Sequence, residues 1–254
     1  MILLHRLTPF VICLLSLAGF GLLIADPIGL KIPAALAFIL IPGLFARLLL
    51  WEFKRPAFWV FLGTPSLLLM SALMFFLIIE SQFGLWAMAL SVTLVLTLYA
   101  ENLFAFYHLP SAYQAYSLEF LSLVCYIISS FFFTGSAYMA QLFLELPLWI
   151  PAIATFLIVL LATVAVFWVS KIGFETGILF AVTGAIVMTE VYVSLSMLPT
   201  SFVTHAAVFT VCWYVYLGIS RAHVLEKLTP AIVRRYALIG CMLLALIFGT
   251  ATWT

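Results

Sequence analysis

The chain has 254 residues, 67% of them hydrophobic and 7% charged, with a formal net charge of +1. Soluble domains are about one quarter charged, so this composition describes a polytopic membrane protein rather than a soluble enzyme or binding domain. The near-neutral balance excludes a basic surface for nucleic acid, and the few lysines and arginines read as topology signals.

Hydropathy divides the sequence into nine candidate spans at residues 8–25, 28–50, 57–79, 84–107, 117–142, 148–170, 174–196, 202–220 and 236–252. Each is about long enough to cross a hydrocarbon core of about 30 Å. The expected fold is an all-α transmembrane bundle forming one integral membrane domain over residues 1–254, with lipid bilayer around it. Placing the N-terminus in the cytoplasm puts Arg6, Arg47, Lys54, Arg55, Lys171, Arg221, Lys227, Arg234 and Arg235 inside and leaves only Lys31 outside. That is the positive-inside distribution of a multi-pass protein of a plasma (inner) membrane. An odd number of spans then leaves Thr254 outside.

The first span, within MILLHRLTPFVICLLSLAGFGLLIA, opens like a signal peptide, but Leu23 and Ala25 fit a cleavage site poorly, so it reads as an uncleaved span. Cys13, Cys125, Cys212 and Cys241 lie within apolar runs and form no C-x-x-C pair, which makes them buried small hydrophobes rather than disulfide or metal ligands. Ile41, Pro42 and Gly43 interrupt span two, and Gly63, Thr64 and Pro65 interrupt span three. Both helices are expected to kink or break there. Such interruptions either mark a binding site lined by freed carbonyls or reflect the ordinary tolerance of membrane helices for proline.

Span four carries a polar line, Thr93, Thr97, Glu101 and His108, that leads into the connection YHLPSAYQAYSLE. Glu101, Asn102, His108, Tyr113, Tyr116 and Glu119 gather at the cytoplasmic boundary, and the loop among them has no lysine or arginine. This is either an interfacial loop whose tyrosines sit at headgroup level or a group that handles protons or a ligand. An enzyme reading would use Glu101, His108 and Glu119 as general acids and bases.

Span five is the most informative. Glu119, Ser122, Tyr126, Ser130, Thr134, Tyr138 and Gln141 follow one another at steps of three or four residues, which aligns them along one side of a helix. Polar groups facing hydrocarbon would lose hydrogen bonds, so this stripe belongs in a protein interior or a wet path.

In span seven, Gly173, Gly177, Ala181 and Ala185 recur every four residues and suit close helix packing. Thr176, Thr183, Glu190 and Ser194 form an adjacent polar line. Glu190 is expected to be partnered or protonated, at a depth similar to Tyr138, Gln141 and His205; together with Glu101 and His108, Glu190 and His205 are the candidates for proton or ligand handling. Trp51, Trp59, Trp86, Trp149, Trp168 and Trp253 lie near span ends as an aromatic belt, whereas Trp213 lies deeper, as packing or a ligand platform. In SRAHVLEKLTPAIVRR, Leu225, Leu228 and Ile232 have the spacing of a short interfacial helix, and the basic residues there suit anionic headgroups or a topology anchor.

Phosphate-loop, zinc-helix, nucleophile-elbow and D-x-x-D patterns are absent. No catalytic residue, metal ligand or cofactor is therefore assigned. Two functions follow from the polar stripe. The chain is a carrier or permease for a proton, a small neutral solute or a lipid-like molecule, or it is a scaffold or assembly subunit whose polar and small-residue faces pack against partner membrane helices or a further copy of itself.

Overall fold

In the computed structural model, residues 5–26, 28–111, 113–114 and 116–251 are described. Among them are nine helices long and apolar enough to cross a membrane. They are α1 (Thr8–Ala25), α2 (Lys31–Leu48), α3 (Pro56–Phe76), α4 (Gln82–His108), α5 (Ser117–Phe143), α6 (Trp149–Val169), α7 (Phe174–Leu195), α8 (Phe202–Val224) and α9 (Pro230–Thr250). The protein is a multi-pass, all-helical membrane protein. Trp253 and Thr254 lie outside the described residues.

The chain divides into two compact units, Met1–Ser129 and Ser130–Thr254, and the division falls within α5. In the first, α1 packs on α2 and α4, α3 packs on both α2 and α4, and α2 also meets α4. Ser16 of α1 and Thr93 of α4 share a buried hydrogen bond of 2.8 Å. Gly19 lets the Phe38 ring of α2 come so close that a Cβ there would lie 2.9 Å from it. Phe38 and Phe76 then close around Phe20, at centroid distances of 4.9 and 5.7 Å from its ring.

In the second unit, α6 packs on α7, α7 on α8, and α8 on α9. Gly177 admits Phe167 of α6, and Gly184 lies against the Tyr216 ring of α8. On the other side of α8, Gly218 receives Tyr236 and Gly240 receives Val215. Apart from Gly240, the described residues of α9 stay at least partly exposed.

Helix ends explain where the spans stop. Ser81, Ser201 and Thr229 each accept a backbone N–H from the first turn of α4, α8 and α9, as helix caps do. Three helices end by a backbone bond reaching back five residues, from Trp51 to Ala46, from Ile172 to Phe167 and from Lys227 to Ala222. The closing residues Leu50, Trp51, Lys171 and Glu226 have positive φ, the left-handed turn that usually falls to glycine.

Two expectations change. Pro42 and Pro65 lie inside helices that continue through them, so neither span breaks. The separate interfacial helix built on Leu225, Leu228 and Ile232 does not form: Leu225 closes α8, Glu226 turns the chain, and Ile232 already belongs to α9, which starts at Pro230. Proline at a first helical position forfeits no hydrogen bond and its fixed φ suits the helix.

Candidate functional site

The stripe on α5 faces inward: Ser122, Tyr126, Ser130, Thr134 and Tyr138 are buried, and Glu119 and Gln141 at its ends are half-buried. Its steps are three, four, four, four, four and three residues, so over 22 residues the last member lies about 40° around the helix from the first. The stripe crosses the division between the two units, and each half has its own surroundings.

In the first unit the centre is a carbonyl. Pro65 has no N–H, which leaves the Phe61 carbonyl oxygen of α3 without its helical donor. The Tyr99 hydroxyl of α4 donates to that oxygen at 3.3 Å, and Tyr99 is completely buried. Beside it, Thr64 Oγ1 lies 2.8 Å from the Val60 carbonyl oxygen and 2.9 Å from the Tyr126 hydroxyl of the stripe. Ser122 Oγ is buried beside the Tyr99 hydroxyl. The proline, the tyrosine and the stripe thus form one polar cluster within the first unit.

In the second unit Ser130 Oγ donates to Thr210 Oγ1 of α8 at 3.4 Å, and Thr134 Oγ1 donates to the Ser130 carbonyl at 2.6 Å. The Tyr138 hydroxyl donates to the Tyr192 carbonyl of α7 at 2.9 Å, with the two rings stacked at 4.3 Å. Tyr192 in turn donates to Gln141 Oε1 at 3.4 Å. His205 of α8 is buried and meets the Tyr138 ring edge-on at 4.9 Å. His205 Nε2 and Trp213 Nε1 are buried without partners.

His205, Tyr138 and Gln141 therefore come together, as their common depth suggests. Glu190 does not join them. Thr176, Thr183, Glu190 and Ser194 are all exposed, so the polar line of α7 lies along the helix face turned away from the core. The buried face of α7 is Gly177, Ala181, Gly184, Ala185, Met188, Tyr192 and Leu195. Gly173 lies outside it, as the exposed N-cap residue with nothing within 4 Å of an added Cβ. Four-residue steps turn about 40° past a full circle each time, so a stripe running 173, 177, 181, 185 rotates onto the buried face only after its first member.

The same drift separates the line on α4. Thr93 is buried, Thr97 is half-buried and donates to the Thr93 carbonyl at 2.7 Å, and Glu101 is exposed. His108 instead stacks between two rings, His5 at 4.6 Å and Phe104 at 5.2 Å. His5 Nδ1 and His108 Nε2 are buried without partners. Burial first, then the positive charge of His108, Arg47 and the amino terminus, holds the His5 imidazole below its usual pKa. In the following connection the Leu118 N–H donates to the Tyr113 hydroxyl at 3.2 Å and Ser117 Oγ donates to Asn102 Oδ1 at 2.7 Å. The loop is thus held by hydrogen bonds, with Glu101 pointing out of it. Among the described residues no three His, Cys, Asp or Glu side chains cluster to hold a metal ion.

Thr64, Tyr99, Tyr192, Thr210 and His5 complete these clusters without belonging to a polar line of their own. Only Thr64 carried a signal, through its place beside Pro65. Comparison with protein-family models, curated proteins and solved structures gave no match for this chain.

Proposed function

We propose that this chain is a non-catalytic subunit of a membrane assembly, whose inward stripe holds its own helices and whose outward polar line on α7 receives a helix of another protein. One observation carries the reading: Thr176, Thr183, Glu190 and Ser194 are exposed together on a membrane-spanning helix. A carboxyl group in hydrocarbon is expensive without a partner. Pairing two copies through this face would set one Glu190 against the other, so the occupant is a different membrane helix with a hydrogen-bond donor or cation opposite Glu190. The bonding of Tyr126, Ser130, Thr134, Tyr138 and Gln141 to groups of the protein supports a packing role for the α5 stripe.

The test is purification from native membranes in mild detergent, with photocrosslinkers at positions 183 and 190 and a control at Leu161, an exposed residue of α6. The expected result is a chain that stays monodisperse only with one stoichiometric membrane protein, crosslinked at 183 and 190 and lost in Glu190→Leu. A stable, solitary chain whose 183 and 190 positions crosslink only lipid would overturn the reading.

His205 Nε2 and Trp213 Nε1 favour a second reading, since unpartnered buried polar atoms are the ones a solute or water file would satisfy. Under it the chain is a carrier for protons or a small neutral solute, with Glu119 and Glu101 at one mouth. Proton and solute fluxes into vesicles that Glu119→Gln and Ser122→Ala leave unchanged would rule it out.

A further inference from the structure

Among the described residues, an apolar groove opens on the surface of each unit. The groove in the first unit encloses about 530 Å³ between α1, α2 and α3, and Lys31 is its only charged lining residue. The groove in the second unit encloses about 480 Å³ between α8 and α9. Its surroundings differ in charge. Val211, Val215, Ile219 and Leu244 are among its apolar walls, while Ser220 and Tyr236 line the part nearest the α8–α9 turn.

Helical periodicity carries both lining faces into that turn. On α9, Arg234 lies three residues before Ala237 and seven before Cys241, both of which line the groove, so it continues the same face one turn further on. On α8, His223 follows Ser220 in the same way. Lys227, Arg234 and Arg235 are exposed in the α8–α9 turn and the first turns of α9, with Glu226 as the one acid between α8 and α9. A long apolar slot ending under several cations matches a molecule with a hydrocarbon chain and an anionic head. The lining on α8 from Val211 to Ser220 runs about 14 Å along the helix axis at 1.5 Å per residue.

We propose that the α8–α9 groove is a binding site for an anionic phospholipid, with an acyl chain lying between the helices and the headgroup taken by Arg234 with Lys227 and Arg235. This site is separate from the α7 face and does not depend on the subunit reading. A basic residue near a membrane surface contributes about 1 kcal/mol toward anionic lipid, which corresponds to about a fivefold preference. The first-unit groove, with its single lysine, should hold chains with little choice of headgroup.

The experiment uses the full chain in nanodiscs containing phosphatidylcholine and phosphatidylglycerol, with a photoactivatable group on the acyl chain of one or the other and mapping of the labelled peptides. The expected result is labelling of α8 and α9 by phosphatidylglycerol at least fivefold above phosphatidylcholine. Arg234→Ala should cut that preference by about fivefold, and Arg234→Lys should keep it. Ala237→Phe, which fills the slot, should lower labelling by both lipids. Equal labelling by the two lipids, a preference that survives replacement of Lys227, Arg234 and Arg235 together, or no labelling of the groove at all would each overturn the proposal.

Discussion

Tyr99 illustrates how a single side chain depends on a backbone defect in another helix. Its hydroxyl donates to the Phe61 carbonyl, whose helical N–H donor Pro65 removes, and a buried hydrogen bond contributes about 0.5–1.5 kcal/mol. Tyr99→Phe should therefore lower thermal stability by about that amount in detergent. In a Pro65→Ala background, where a backbone N–H again reaches Phe61, the same substitution should cost measurably less, a non-additivity that a double-mutant cycle reads directly. His5 offers a pH-dependent counterpart. Its folded pKa lies below the ordinary value of about 6.5, so the neutral ring's contribution is complete above that pH and is lost as pH falls through the lowered folded value. Hydrogen exchange at the C-terminal end of α4 should quicken as pH falls below about 6.5 beyond its intrinsic rate change, and His5→Phe should flatten the response. The stripe residues were legible because they repeat. Tyr99 and His5 were not, because each gains its role from a partner distant in sequence.

At the scale of elements, hydropathy found all nine helices, because a span must be apolar for most of its length whatever it packs against. It misplaced the start of α9, where Arg234 and Arg235 count against a span while Thr229 and Pro230 cap one. It also could not tell the two faces of α7 apart: Thr176, Thr183 and Glu190 align as straight as the α5 stripe, and only packing decides which line turns inward. The small-residue signal on α7 was partial for the same reason, since Gly184 against Tyr216 lies on the buried face and Gly173 does not. Overpacking a close helix contact costs about 1–3 kcal/mol, so Gly184→Val should lower the melting temperature, whereas Gly173→Ala should leave it near the parent value. Lys171, held at positive φ at the end of α6, should gain roughly 1 kcal/mol of stability as Lys171→Gly.

For the whole molecule, the count of helices and the position of the basic residues make a joint statement. Nine crossings would place the two ends of the chain on opposite sides of the membrane, and the lysine and arginine distribution expects the α2–α3, α6–α7 and α8–α9 turns on the cytoplasmic side. Reporter fusions after Lys54, Lys171 and Lys227 should be active only with a cytoplasmic reporter, and one after Glu145 only with an external one. A helix that does not cross would reverse the pattern at every site beyond it. Exposed tryptophans at Trp51, Trp59, Trp86, Trp149 and Trp168 lie near helix ends, where indole rings favour the headgroup region.

The pairing of Pro65 with Tyr99 also bears on the order in which this sequence is able to change. Losing the proline first leaves a helix with its own N–H restored and a tyrosine with one bond fewer to make, a mild step. Losing the tyrosine first removes that carbonyl's bond from α4 while the proline still withholds the helical donor. Mutational drift through this pair therefore has a preferred direction: proline departs before tyrosine, and tyrosine arrives before proline.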